Sequence, residues 1–417
     1  MRSPTRRLCT ALLTTALLAA QTPASSVPEP LFAADLGAFT DRVDGGQFSE
    51  LLEVHLAQYA VDPVWAAEWA DDRYRRSGML AGYGSVSVRA LHHHLDLVLN
   101  LAPTERLQLR YDQRRWADTR FDLREERFDA LWWATPGFAL LASGWPTPQK
   151  QYSAFGLGCA LGRADGDNRL VVLVRDDRYV FNQKTDSDVR FTDQPLRLLV
   201  DGTASGEAWQ AYTSLNLGTG YSAEDRPEGS VSRATSGRLQ YGDAGALWRH
   251  GPVRATLTGR FVTQDRAEDD GRARVLSLQR DWWRVDGTLE FAPGDWAGAL
   301  LGGYAWQHDR FFAAADVDGE YRARNALFGA EGIYRGWQTG ELRLGYVGNV
   351  FGMERDSRAL GTEPPTLEIE SEEGYVDKVH LIGRYRFHPS LALEALLSKE
   401  ISRGSFGGFS VRAFGQL

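Results

Sequence analysis

Arg284, Asp286 and Glu290 occupy even positions of one stretch, and Trp283, Val285, Leu289 and Phe291 fill the odd ones between them. The same separation recurs with Arg254 and Arg260, with Glu341 and Arg343, with Lys378, Arg384 and Arg386, and at Glu394. In an extended chain successive side chains point to opposite faces, so each of these sets shares one face of its strand. Charges repeated on one face, with cations in modest excess, can line a polar wall that solvates or sorts ions. That is electrostatic chemistry, with no bond made or broken.

Covalent and metal chemistry find less support. His92, His93 and His94 are adjacent, so in a strand they alternate sides and cannot all grip one ion. His308, His380 and His388 fall in separate segments without ligand spacing. Serines and acids are plentiful, yet no motif ties a nucleophile to a base and an orienting group. No catalytic residue, metal site or cofactor is therefore expected.

What must position the charges is a set of long strands. In "WRVDGTLEFAPGDWAGALLGGYAW" two runs of period two flank a Pro-Gly turn, and the second carries Trp296, Gly298, Leu300, Gly302, Tyr304 and Trp306 on one face. From Trp296 to Trp306 is about 33 Å of strand at ~3.3 Å per residue. Tilted by ~40°, such a strand crosses roughly 25 Å, the height of the apolar band of an outer-membrane barrel. Leu300 then faces lipid and Ala299 the interior, so a substitution at Ala299 is expected to be the milder of the two. Trp283, Phe291, Trp296, Tyr304, Trp306, Tyr346, Tyr385 and Phe387 are placed to form the aromatic girdles.

Connections alternate in length. "ATPG", "HGP", "APGD", "GWQTG" and "HPS" are short, whereas "YSAEDRPEGSVSRATSG", "DRAEDDGR" and "MERDSRALGTEPPTLEIESEEG" read as long polar loops. Short turns at one end and long loops at the other suit a barrel better than a soluble sandwich. The helical period appears only over 46–76. There Phe48, Leu51, Leu52, His55, Leu56 and Tyr59 precede Asp62 and Pro63, an N-cap and first-turn proline that open a second helix bearing Trp65 and Trp69.

Across the 417 residues the net charge is -8, and nothing in its pattern points to nucleic acid. Of the 47 basic residues only Lys150, Lys184, Lys378 and Lys399 are lysine, and arginine's fork suits a wall of paired charges. The one long run poor in charge, "LCTALLTTALLAA", follows Arg2, Arg6 and Arg7 and precedes Ala20 and Ala24, the build of a secretory signal. Removal of that segment takes Cys9 with it and leaves Cys159 without an intrachain partner.

The final stretch, "GFSVRAFGQL", alternates Phe409, Val411, Ala413, Gly415 and Leu417 to the terminus. With the strands before it, this resembles a Gram-negative outer-membrane β-barrel protein of the porin-like kind. Leu417 stands where such proteins usually end in phenylalanine. The resemblance implies outer-membrane lipid and the barrel-assembly machinery as partners. The expected fold is all-β, a transmembrane antiparallel barrel of about 16–18 strands with 18 favoured. It comprises a signal peptide over 1–24, a helical periplasmic or plug segment over 25–78 and the barrel over 79–417. The expected function is a channel for passive passage of small polar or anionic solutes. The alternative is a barrel serving an envelope complex, for export of a polymer or as a sheath for a partner chain.

Overall fold

The structure, a computed structural model, describes residues 79–86, 91–117, 122–145, 154–162, 168–176, 187–193, 196–227, 233–269, 274–313, 317–337, 339–359, 366–388, 391–402, 404 and 406–416. The expected signal and helical segments lie outside these residues. All described regular structure is strand: β1 (Met79–Val86), β2 (Leu91–Thr104), β3 (Leu107–Ala117), β4 (Asp122–Thr135), β5 (Phe138–Trp145), β6 (Ala154–Gly162), β7 (Arg169–Asp176), β8 (Ser187–Asp193), β9 (Leu196–Ser205), β10 (Trp209–Gly218), β11 (Tyr221–Pro227), β12 (Arg233–His250), β13 (Val253–Asp269), β14 (Arg274–Phe291), β15 (Trp296–Ala313), β16 (Val317–Trp337), β17 (Gly340–Ala359), β18 (Thr366–His388), β19 (Leu391–Glu400) and β20 (Phe406–Gln416).

These twenty strands form one antiparallel sheet in which sequence neighbours pair except around β8 to β11, where β7 pairs with β9, β8 with β11 and β10 with β12, and β20 pairs in turn with β1, Gln416 opposite Met79 and Phe409 opposite Val86. Twenty exceeds the number expected, because two long runs are each divided in two. Between β8 and β9 the sequence has Gln194 and Pro195, and a proline has no N–H to give a ladder. Across this break the register runs on: Arg197 lies opposite Gly218, and Asp193 opposite Ser222. Thr219 fastens the break, its N–H donating to the Leu196 carbonyl at 2.8 Å and its hydroxyl accepting from the Leu196 N–H at 3.2 Å. β12 pairs with β11 through Arg233–Gly237 and with β10 through Gln240–Trp248.

All three loops expected to be long are largely strand: β11 takes up Tyr221–Pro227 and β12 begins at Arg233. β13 continues to Asp269 and β17 to Ala359, while β18 begins at Thr366. Beyond the apolar band both faces of these strands are largely polar, and antiparallel pairing persists because it satisfies the backbone. Opposite charges accompany the extension, as in Arg238–Asp265 at 3.0 Å and Arg324–Glu373 at 3.1 Å. Both pairs are solvent-exposed, so they contribute little stability. β12 to β18 therefore rise well past β5, β6 and β7, which end after eight or nine residues.

The short turns share one end, and their carbonyls are taken up by the next strand: Ala292 N–H donates to Pro252 O at 2.8 Å, and Arg335 N–H to Asp295 O at 2.7 Å. Between the ends burial is inverted. Leu257, Leu289, Leu300, Leu344, Leu381 and Leu397 are exposed on one face, whereas Asp286, Glu290, Glu331, Arg343, Arg384 and Glu394 are buried on the other. Trp283, Phe291, Trp296, Tyr304, Tyr385 and Phe387 share the exposed face. Ring contacts link several of them, with Trp283 5.3 Å from Tyr304 and Tyr385 4.7 Å from Phe387. Trp306 and Tyr346 are partly covered; the Tyr346 hydroxyl meets that of Tyr375 and donates to Asp377 at 3.0 Å.

Inward Ala299 proves to be no open position. It is buried with Ala297 and Ile333, and in register it lies between Glu290 and Glu331. Leu300→Arg is expected to cost about 2–4 kcal/mol as a charge on the lipid face. Ala299→Leu is expected to cost about 1–3 kcal/mol by overpacking, so it is not silent. Urea unfolding of the protein in lipid vesicles measures both, and full tolerance at Leu300 would invert the assignment of faces.

Candidate functional site

The buried charges form a ladder along the inner face of β13 to β19. Glu290 on β14 accepts from Arg335 Nη1 at 2.6 Å and lies 3.6 Å from Arg254 on β13. Arg335 Nε donates to Glu341 on β17 at 2.7 Å, and Glu341 also meets Arg343 two residues on. Arg343 lies 3.5 Å from Glu331 on β16, which is hydrogen-bonded at 2.7 Å to His380 Nε2 on β18. Arg384 donates to Glu394 on β19 through Nε at 3.0 Å and Nη2 at 2.7 Å. Higher on the wall Arg280 grips both oxygens of Asp309, at 3.0 Å and 2.8 Å.

Small residues make this reach possible. In register Gly345 of β17 separates Glu331 from His380, so their side chains must meet across an intervening strand. A Cβ at Gly345 would stand 2.5 Å from His380 Nε2 and 2.7 Å from Glu331 Cγ, so a side chain there would displace the pair. Ala297 and Ala299 leave similar room between Glu290 and the charged residues of β16.

Of the expected wall residues, Arg254, Glu290, Glu341, Arg343, Arg384 and Glu394 belong to this ladder, and Arg284 is paired with Asp286 on its own strand at 2.7 Å. Lys378 is 0 % exposed and sits opposite Glu400 in the β18–β19 register. Arg386 is exposed near the short-turn end, beside a register shift between Arg386 and His388. Arg260 lies opposite Arg284 along the backbone; its side chain is outside the described set. The cations expected to present bare charge to a lumen are, wherever an ion pair is seen, next to acids.

Sequence reasoning missed Glu331, Arg335, His380 and the Arg280–Asp309 pair. The signal was present for the first two, which share the odd positions of "FGAEGIYRGW" with inward Ile333. It missed a second cluster as well, where Asp129 accepts from Arg127 Nε at 2.7 Å and from Ser143 Oγ, with Arg110 3.8 Å away. Beside it Trp145 carries the guanidinium groups of Arg127 and Arg175 at 5.1 Å and 4.5 Å from its ring centre. Those distances suit cation–π contact.

No family model matches the chain, and no curated protein matches it. Among solved structures the chain is similar to OmpT, an outer membrane protein of Vibrio cholerae, at 11% identity and a TM-score of 0.33, covering 82% of this chain and 98% of that one. It is similar to Pseudomonas aeruginosa OccK10 at 11% identity and a TM-score of 0.36, covering 82% and 98%. A bacterial polysaccharide outer membrane secretin gives 8% identity and a TM-score of 0.38, covering 82% and 99%.

Removing one partner of a buried ion pair leaves an uncompensated charge, whereas replacing both with apolar groups is close to neutral. Arg384→Met is expected to destabilise the folded sheet by about 3–5 kcal/mol, and Arg384→Met with Glu394→Leu to recover most of that loss. Unfolding midpoints in lipid vesicles read both; equal stability of the single and double variants would mean that the pair is not coupled.

Proposed function

We propose that this chain is exported by its N-terminal segment to a Gram-negative outer membrane, and that it forms there a closed barrel serving as a channel for small polar solutes. The inverted burial carries the reading. An exposed apolar band faces outward on strand after strand and the charged side chains are withdrawn behind it, an arrangement that water would oppose and acyl chains favour. With β8–β9 and β10–β11 each counted as one stave, the twenty strands make a ring of eighteen, and the β1–β20 pairing supports its closure. An even number returns both chain ends to the same side, as single-chain barrels of bacterial outer membranes do.

Selectivity is assigned to the mouth at the short-turn end, because the ladder deeper in the wall is neutralised pair by pair. Arg254, the solvent-facing end of the ladder 3.6 Å from Glu290, and Arg386 are the expected site cations that keep surface open to solvent there, and both also have partners in the wall. The alternative, an envelope complex with a partner chain, draws support from the tall wall. Residues 366–377 of β18 pair with β17 alone among the described strands and present a free edge.

Fractionation is expected to place the mature protein in the outer membrane, with heat-modifiable migration on gels. In planar bilayers the purified chain should open as an ion channel. Arg254→Gln with Arg386→Gln should move its reversal potential in a salt gradient toward cations, and the Glu290–Arg335 pair should keep the fold intact. An unmoved reversal potential in an open channel would remove the anion preference, and recovery as a soluble periplasmic protein would sink the whole reading.

A further inference from the structure

The outward face of β14 to β18 changes character from one end to the other. At the short-turn end it exposes Phe291, Trp296, Tyr385 and Phe387, and no arginine or lysine stands in that register among the described residues. At the far end cations appear. Arg324 lies directly opposite Trp306, and the next two outward rungs of β15 and β16 pair His308 with Arg322 and Arg310 with Glu320. Two residues of strand, at ~3.3 Å each and tilted ~40°, rise roughly 5 Å, so these arginines climb about 10 Å from the tryptophan. The polar layer beside the hydrocarbon is roughly 5–8 Å deep, which puts them at the height of lipid headgroups.

The acids among them leave most of their donors open. The side chains of Arg310, Arg322 and Arg324 are 65%, 53% and 67% exposed. Arg322 Nη2 donates to Glu320 at 2.7 Å and Arg324 Nη2 to Glu373 at 3.1 Å, whereas Arg310 lies 3.7 Å from Glu320 and Glu354 4.0 Å from Arg322. Each guanidinium has five N–H donors, and exposed pairs of this kind contribute little. A phosphate, which accepts two parallel bonds from one fork, competes well with them.

A cleft continues the patch. A cavity of about 730 Å³ is lined in the outward register by Ser236, Asp265, Ser277, Gln279, Arg310 and Phe312. Ser277 and Phe312 form the rung above Gln279 and Arg310, so the cleft opens beyond the arginines, further from the apolar band. Hydroxyls, an amide and a carboxylate around one ring suit the hydroxyls and the apolar face of a sugar. We infer that this face binds a phosphorylated glycolipid of the outer leaflet, with its phosphates on Arg310, Arg322 and Arg324 and its sugar in the cleft. This rests on the outer-membrane barrel reading, in which the short turns are periplasmic, and adds to it a specific lipid.

The test uses the full chain purified in detergent, with its fold checked by heat-modifiable migration. Native mass spectrometry counts bound lipid during titration with diphosphorylated lipid A, with its dephosphorylated form and with phosphatidylglycerol. Only the first should stay bound. Arg310→Gln, Arg322→Gln and Arg324→Gln together should weaken it about tenfold or more, since charge-assisted bonds to phosphate are lost. Glu320→Gln, which removes the acid competing for Arg310 and Arg322, should tighten it. Undiminished affinity of the triple variant, weaker binding to Glu320→Gln, or equal retention of either other lipid would overturn the proposal. So would displacement by inorganic phosphate at the concentration of the lipid, because the site would then read a free anion. Where the triple variant fails to fold, Arg310→Gln alone and the three lipids on the unaltered chain decide. Conductance should not change in the variants, whose side chains share the outward register of Leu300 and Tyr304; a changed conductance would put them on the lumen and overturn the site. A silent barrel that retains the lipid would count against the channel and leave the site standing. A heat-modifiable barrel in the outer membrane that retains none would overturn the site and leave the barrel reading intact.

Discussion

In the hydrocarbon of a bilayer no water is available to a peptide N–H or C=O, so a spanning sheet must satisfy every backbone group within itself. On the outer-membrane reading proposed above, much else in this chain follows from that constraint. It explains why β20 returns to β1, why the break between β8 and β9 keeps its register, and why Thr219 supplies both a backbone and a side-chain bond to Leu196 where the ladder would otherwise lapse. It also accounts for the difference between the two parts of the wall. Among the described residues β5 to β7 cover eight or nine positions each, whereas β12 to β18 cover about twice that. The acidic stretch "TLEIESEEG", on an edge of β18 that no described strand pairs, is a usual defence of such an edge against further pairing.

Placing the apolar residues outside forces the polar ones inside, and there the energetic difficulty shifts from backbone to charge. A buried guanidinium or carboxylate is costly unless paired and hydrogen-bonded. The inner wall answers by placing acids and arginines on adjacent strands, two residues apart on one strand, or across an intervening strand with a small residue between them, so that Glu290, Glu331 and Glu341 each serve more than one cation or histidine. Arginine suits this role better than lysine because one planar fork can hold two partners, as Arg335 does with Glu290 and Glu341. The scarcity of lysine in the sequence thus has a structural counterpart, and Lys378, buried opposite Glu400, is the exception on this wall.

Much of the fold was legible because a period of two needs no partner to be read: the sequence of a single strand already says which residues share a face. The outward-facing aromatic and leucine positions came from that alone. What it could not yield was anything that depends on register between strands. Glu331 and His380 meet only because Gly345 lies between them, and no spacing within one strand reveals that. The ends of the long strands were missed for a related reason, since a polar strand outside the membrane has the composition of a loop. Nor did alternation mark β5 and β7, where "FALLASGW" and "RLVVLVRD" are apolar on both faces and give a reader no reason to choose a side.

Those two strands change the meaning of the inner face. A barrel wall lined throughout by paired charges would be a solvated conduit whose selectivity follows its surplus cations. Here the charged ladder occupies one side, and on both sides apolar clusters lie beside the charges on the inward face. Water gains nothing from meeting Leu141 or Val347, and burying them stabilises whatever lies against them by roughly 1.5–3 kcal/mol for each side chain fully covered. The ladder and the patches then divide the work: ion pairs fix neighbouring strands to one another and neutralise the wall, while the apolar clusters pack side chains of neighbouring strands together. On the channel reading proposed above, passage is governed by the solvent-facing charges at its mouth. Arginines in the middle of the wall serve the barrel more than they serve the solute.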